Sequence, residues 1–314
     1  MGCKIPLCMI GFSHVGVAPK VPSTSSTSTH SNHAPERTLL TIAGHDPSSG
    51  AGITADLQTF AAHRLFGTSA ITALTVQSTL GVAEIQPIDP AFLRRALDHL
   101  VSDLPPAGIK IGILGSSEIA ATVAGFLAAT LPRQGKSAIG KQQPSQIPIV
   151  PPVILDPILR ASSGASLLPP EALEILHHQL LPHVTWITPN WSELSTLTAQ
   201  PVETLEQAET AVERLALRHP HLHIVATAGD HAQPTDLLRL PSGEFHRFAG
   251  EHIESTSTHG TGCAFSSALL CHLVLRDTPI EAVRGAKHFV TEAIRNAPIL
   301  GHGKGPLNLF WHSS

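Results

Sequence analysis

Thr38-Leu39-Leu40-Thr41-Ile42-Ala43-Gly44-His45-Asp46-Pro47-Ser48-Ser49-Gly50-Ala51-Gly52-Ile53-Thr54-Ala55-Asp56 runs from an apolar stretch of strand length, through a glycine-rich loop, into the start of a helical pattern. A buried strand that feeds a loop and then a helix is the repeating unit of a parallel sheet covered by helices. Working outward, the helical spacing continues from Ile53 to Leu65, and Thr68–Gln77 is rich in the β-branched and apolar residues of a buried strand. Pro90–Val101 reads as a helix behind Asp89, a good N-cap. Strand and helix signals then alternate through Ile109–Ile113, Ser117–Leu131, Val153–Leu155, Pro170–Leu180, Thr185–Thr188, Thr204–Arg218 and Leu222–Ala226. Asp236–Phe248 reads as a hairpin turning at Pro241-Ser242-Gly243, and helices over Thr261–Leu275 and Pro279–Asn296 follow it. The fold class is therefore α/β, with one domain expected over 38–314. The Ser/Thr/Pro-rich residues 1–37 are expected to be a disordered extension, and the aperiodic 132–152 a mobile insertion.

Composition narrows the function. The chain has 314 residues, 42% hydrophobic and 14% charged, with a net charge of −4 and no basic block, so it lacks the electrostatic footprint of a nucleic-acid binder. Its apolar stretches break well short of the ~20 residues a bilayer span needs. The 4 cysteines, at positions 3, 8, 263 and 271, show neither CxxC nor zinc-type spacing, which fits a reducing, cytoplasmic setting. His219, His221 and His223 alternate as if sharing a strand face; among 20 histidines, chance clustering is the simpler reading than a metal site.

Two segments carry chemistry. In Thr258-His259-Gly260-Thr261-Gly262-Cys263-Ala264-Phe265-Ser266-Ser267-Ala268, a Gly-Thr-Gly turn enters a helix, so that backbone N–H groups and the helix dipole converge on a place suited to phosphate. Cys263 falls in the first turn, where the dipole favours thiolate and hence a base or nucleophile. The Gly44–Asp56 segment lies at the carboxyl end of a strand, where small molecules bind in open α/β sheets. Asp56, one turn into the helix, is expected to face that cleft.

Taken in order, Gly44–Asp56, Lys110-Ile111-Gly112-Ile113-Leu114, Leu155-Asp156-Pro157, Thr188-Pro189-Asn190-Trp191-Ser192-Glu193, His259–Cys263 and Gly301-His302-Gly303-Lys304-Gly305-Pro306 resemble the motifs of one family. It is the bacterial hydroxymethylpyrimidine/phosphomethylpyrimidine kinases of thiamine biosynthesis, within the ribokinase superfamily, and the resemblance covers about residues 38–310. It implies a three-layer α/β/α fold with a central, mostly parallel sheet. It also implies two ATP-dependent phosphorylations, first of 4-amino-5-hydroxymethyl-2-methylpyrimidine and then of its monophosphate. By the same resemblance, Gly44, Asp56, Gln77 and Ile113 bind the pyrimidine, and Asp156, Asn190, Glu193, Thr227 and His259 serve ATP. Asp156 and Glu193 hold Mg²⁺ through water, as this hard ion prefers. Gly260, Thr261 and Gly262 form the anion hole, with Cys263 as base. A homodimer is implied, and a K⁺ requirement is left open.

The sequence departs from the family pattern at three places. Thr227 stands where a lysine near the ATP phosphates is usual, Leu80 replaces a common arginine, and Ile113 replaces a common methionine. Two alternatives stay open: a pyridoxal or pyridoxine kinase, which shares the Gly-Thr-Gly-Cys arrangement, and a catalytically weak pyrimidine-binding sensor.

Overall fold

Strand β1 (Thr38–His45) alternates between two interiors: Leu40 and Ile42 look into one, Leu39 into the other. Burial on both faces is what turns an uninterrupted apolar run into a central strand. The computed structural model describes residues 37–131, 151–159, 169–229 and 234–313. Almost all of the expected extension over 1–37 and of the insertion over 132–152 lies outside the described residues.

The remaining strands are β2 (Phe66–Ser78), β3 (Gly81–Pro87), β4 (Gly108–Ile111), β5 (Val153–Leu155), β6 (Trp186–Ile187), β7 (His223–Ala226), β8 (Thr235–Arg239) and β9 (Phe245–Ala249). They form a 9-stranded sheet in the order β3-β2-β1-β4-β5-β6-β7-β8-β9. From β2 to β7 every pairing is parallel, while β3, β8 and β9 attach antiparallel at the two edges. The Asp236–Phe248 hairpin is thus β8–β9. Strand β3 escapes the sequence reading, because its residues are largely exposed or half-buried and carry no clear alternation.

One face of the sheet is covered by α2 (Pro90–Asp103), α3 (Ser117–Thr130), α4 (Pro170–Ile175), α5 (Trp191–Thr198) and α6 (Leu205–Arg218), through Leu93, Phe126, Ala172, Leu194 and Val212. The other is covered by α1 (Gly52–Ala62), α7 (Thr261–Val274) and α8 (Pro279–Arg295), through Phe60, Leu269 and Phe289. These are the three layers of an α/β/α fold. Asp89 caps α2 by accepting from Phe92 N–H at 2.7 Å, and Asn190 and Glu193 form a reciprocal capping box on α5. The helix expected over Pro170–Leu180 ends at Ile175 and widens into a looser turn over Leu176–Leu180.

Candidate active site

The parallel strands deliver their carboxyl ends to a cavity of about 810 Å³. Its wall is built from the loop after β1, the β2–β3 hairpin tip, Ile113 beyond β4, Asp156 beyond β5, the Thr188–Glu193 segment beyond β6, Thr227 beyond β7, the start of α7, and Gly303–Lys304 near the C-terminus. Each expected site residue lines it except Asp56.

Asp56 is a correction. Its side chain is fully buried below the cavity, where Lys110 Nζ donates to both carboxylate oxygens at 2.9 Å. Thr41 Oγ1 donates at 2.6 Å and Ser267 Oγ at 2.8 Å. With its lone pairs occupied, this carboxylate ties α1, β1, β4 and α7 together and has no face to offer a substrate. Lys110, equally buried, is held above an ordinary lysine: burial pulls it down, but Asp56 foremost, with Cys263 and Asp156, together outweigh that. A lone lysine inside the apolar run Ile109–Ile113 was the signal for such a partner.

Asp46, also not singled out from the sequence, organises the first wall. Its carboxylate accepts from Ser48 N–H at 2.8 Å, Ser48 Oγ at 2.7 Å and Ala51 N–H at 2.9 Å, which fixes the glycine-rich loop. His259 Nε2 lies 2.7 Å from its other side and 3.0 Å from the Gln77 amide nitrogen. Burial raises Asp46, yet the hydrogen bonds from His259 and Ser48 outweigh it and hold the carboxyl below its usual range. His259, expected beside ATP, is therefore packed among Asp46, Gln77 and the β1 loop.

Gly260 begins α7 at φ +84°, and a Cβ there would collide with the Gly50 carbonyl, so the turn closes against the β1 loop only as glycine. The first-turn N–H groups of α7 have no carbonyl within the helix to bond, and Gly260–Cys263 line the cavity. Cys263 follows at 5% exposure. Burial pushes its thiol up to about 12; Lys110 pulls the other way and is overruled. Against the expected resting thiolate, burial keeps the thiol protonated, because desolvation exceeds the pull of Lys110.

Against the first turns of α7, Asp156 accepts from Ser266 Oγ at 3.2 Å, and burial raises it to about 6. Glu193 is raised well above the ordinary range by burial and then by the charge of Asp156. Its Oε2 accepts from Asn190 N–H at 2.9 Å while Asn190 Oδ1 accepts from Glu193 N–H at 2.9 Å. Thr188 Oγ1, buried in the same wall, has no hydrogen-bond partner among the described residues. Two buried carboxylates, the charge of Asp156 raising Glu193, beside an unsatisfied hydroxyl form an oxygen donor set suited to a hard divalent cation. Thr227 joins this wall through its N–H to the Pro189 carbonyl at 2.9 Å, and it brings a hydroxyl rather than a cation.

The three histidines at 219, 221 and 223 do not converge. His219 pairs with His177 at 3.1 Å, His221 contacts the Leu181 carbonyl, and His223 stacks on Trp186.

Known proteins resemble this chain over most of its length. The family model described as phosphomethylpyrimidine kinase matches residues 46–135 and 137–308. A hydroxymethylpyrimidine/phosphomethylpyrimidine kinase of Synechococcus elongatus is 35% identical over 275 residues, covering 87% of this chain and 97% of that protein. A thiamine biosynthesis bifunctional protein of Geobacter sulfurreducens is 36% identical over 280 residues, 87% of this chain, which spans 52% of that longer protein. Among solved structures, the pyridoxal kinase of Staphylococcus aureus in complex with AMP-PCP and pyridoxal superposes with a TM-score of 0.73 at 26% identity, over 88% of this chain and 94% of that one.

Proposed function

The chain belongs to the phosphomethylpyrimidine kinase family, and from that premise we propose how its cavity carries out the family's chemistry. The protein is a hydroxymethylpyrimidine/phosphomethylpyrimidine kinase: it transfers the γ-phosphoryl group of ATP to the hydroxymethyl group of 4-amino-5-hydroxymethyl-2-methylpyrimidine, and a second phosphoryl group to the resulting monophosphate, in thiamine biosynthesis. The observation that carries the site assignment is the convergence, at the strand ends, of the α7 N-terminus, the Asp156–Glu193 carboxylates and the Asp46–His259–Gln77 cluster.

In this reading the flat ring lies against Gly44, Ile113 and Gln77, whose amide reads its polar edge. The N–H groups of Gly260–Cys263 stabilise charge on the γ-phosphoryl as it moves. Phosphoryl transfer asks mainly for alignment and neutralisation, which an anion hole on rigid elements supplies. The ionised fraction of Cys263 takes the hydroxyl proton as the oxygen–phosphorus bond forms. Asn190 and Thr227 meet the nucleotide. Asp156 and Glu193 would hold Mg²⁺, through water, and the ion would neutralise phosphate charge. Binding of a small-molecule substrate and of adenine nucleotide follows the solved kinase complexes. A cytoplasmic location is supported by the ATP requirement and the two free, buried cysteines Cys263 and Cys271. No helix among the described residues is long and apolar enough to cross a membrane. A homodimer is supported by the exposed Leu74 and Val76 on β2, an apolar stripe for a second copy to cover, and sedimentation mass checks it.

A coupled ADP-release assay with Mg-ATP and the hydroxymethylpyrimidine, with products identified by mass, tests the assignment. Mono- and diphosphate products that depend on Cys263 are the expected result. Preferential turnover of pyridoxal, the substrate in the Staphylococcus aureus complex, would move the assignment to pyridoxal kinase. Tight pyrimidine binding without turnover would make the protein a sensor.

A further inference from the structure

Lys304 lies in the glycine-rich segment near the C-terminus, where backbone hydrogen bonds of Lys304 and Gly305 hold the segment in place. Its own N–H donates to the Thr79 carbonyl at 2.9 Å, Gly305 N–H to Thr256 at 2.9 Å, and His259 N–H to the Gly305 carbonyl at 3.0 Å. A Cβ on Gly303 would strike the Thr79 carbonyl, so this segment and the β2–β3 hairpin tip fit against each other as one surface. The cavity they border carries the carboxylates of Asp46, Asp156 and Glu193, and among the described residues that line it Lys304 is the only lysine or arginine.

The position of Lys304 separates its role from that of the nucleotide wall. It is anchored to the tip of β2, whereas Asn190 and Thr227 pair with each other beyond β6 and β7. In the strand order, β2 and β6 are separated by β1, β4 and β5. Four strand spacings make this about 19 Å across the sheet, beyond the span of one side chain. Around Lys304 stand Thr79, His259 and, through His259, Gln77: the wall assigned to the acceptor.

The two transfers differ in the charge of that acceptor. The hydroxymethyl compound is neutral, and its monophosphate brings an anion into a cavity rich in carboxylates. Resting on the two-step reading above, we propose that Lys304 is a specificity residue for the second transfer, binding the phosphate already present on the acceptor. A charge-assisted hydrogen bond from an ammonium group is the strong contact such a phosphate needs, and the neutral acceptor has nothing to gain from it.

The test compares each acceptor separately, the alcohol and the monophosphate, with the unsubstituted protein, Lys304→Gln and Lys304→Arg. In Lys304→Gln, the ratio of kcat/KM for the monophosphate to that for the alcohol falls by about tenfold or more, chiefly through KM. Lys304→Arg restores most of the ratio. Raised ionic strength weakens monophosphate binding more in the unsubstituted protein than in Lys304→Gln. If the ratio is unchanged, or both reactions fall together, Lys304 is not selective for the acceptor phosphate and the inference is overturned. If the unsubstituted protein turns over neither acceptor, the two-step reading fails first, and this inference with it.

Discussion

Cys263 determines how the reaction responds to pH. Burial pushes its thiol up to about 12, so at neutral pH the thiolate is a minor species whose share grows about tenfold with each pH unit. When the thiolate takes the hydroxyl proton and chemistry limits turnover, kcat climbs with that slope from about pH 6.5 to about pH 9.5. Cys263→Ala removes the slope and lowers kcat by about 100-fold or more, with little change in KM. Steady-state kinetics across this range decide the matter: a level profile in the unsubstituted protein assigns the proton to another group. The Gly-Thr-Gly-Cys order made this residue legible, because turn and helix start are local features. Its protonation state was not legible, since the desolvation comes from elements distant in sequence. Asp56 was misread for the same reason. Helical spacing places it one turn into α1, but only the fold brings in Lys110, 54 residues on. Asp46 looked like an ordinary turn carboxylate, and its partner His259 lies 213 positions away.

At the next scale, α6 and the wide turn after α4 meet through His177 and His219, whose rings stack 5.4 Å apart at 11°. Burial lowers both imidazoles, His219 to about 4. A base whose folded-state pKa lies below its unfolded value near 6.5 binds fewer protons when folded, so its stabilising contribution is complete above that value. It is lost as the pH falls from about 6.5 towards about 4. In His219→Gln, whose amide can keep a hydrogen bond to His177, the thermal midpoint is therefore expected to decline less steeply across that window. Melts at a series of pH values, compared between the two proteins, measure this; parallel curves would show that the pair does not titrate on unfolding. The central strands were legible as uninterrupted apolar runs, because both faces are buried, as Leu39 and Leu40 facing opposite layers illustrate. Strand β3 was not, because an exposed edge strand has little reason to alternate. The histidines at 219, 221 and 223 suggested a shared strand face, but the first closes α6 while β7 begins only at His223.

Over the whole molecule, the cavity spans loops from both halves of the sheet, so any ligand that fills it binds the folded chain and not the unfolded one. Such a ligand stabilises by about 2.7 kcal/mol at one hundred times its dissociation constant, a rise of about 4–5 °C in thermal midpoint for a domain of this size. Charge decides which ligand does so. Asp156 is raised to about 6, and Glu193 is raised too, both first by burial. Their folded forms hold protons that the unfolded chain would release, so the ligand-free protein loses stability as pH climbs through about 6, opposite in sign to His219. A divalent cation removes that penalty only when the carboxylates are ionised. AMP-PCP with Mg²⁺ is accordingly expected to raise the thermal midpoint more at about pH 8 than at about pH 5, and AMP-PCP with EDTA to raise it little at either. Asp156→Asn should make the ligand-free protein more stable at the higher pH, since the desolvation of a buried charge, which exceeds what Lys110 and Ser266 return, has gone, while abolishing the extra gain from Mg²⁺. Equal protection with and without the metal would place the cation elsewhere, and the raised carboxylates would then be the cost of a buried wall rather than the mark of a metal site.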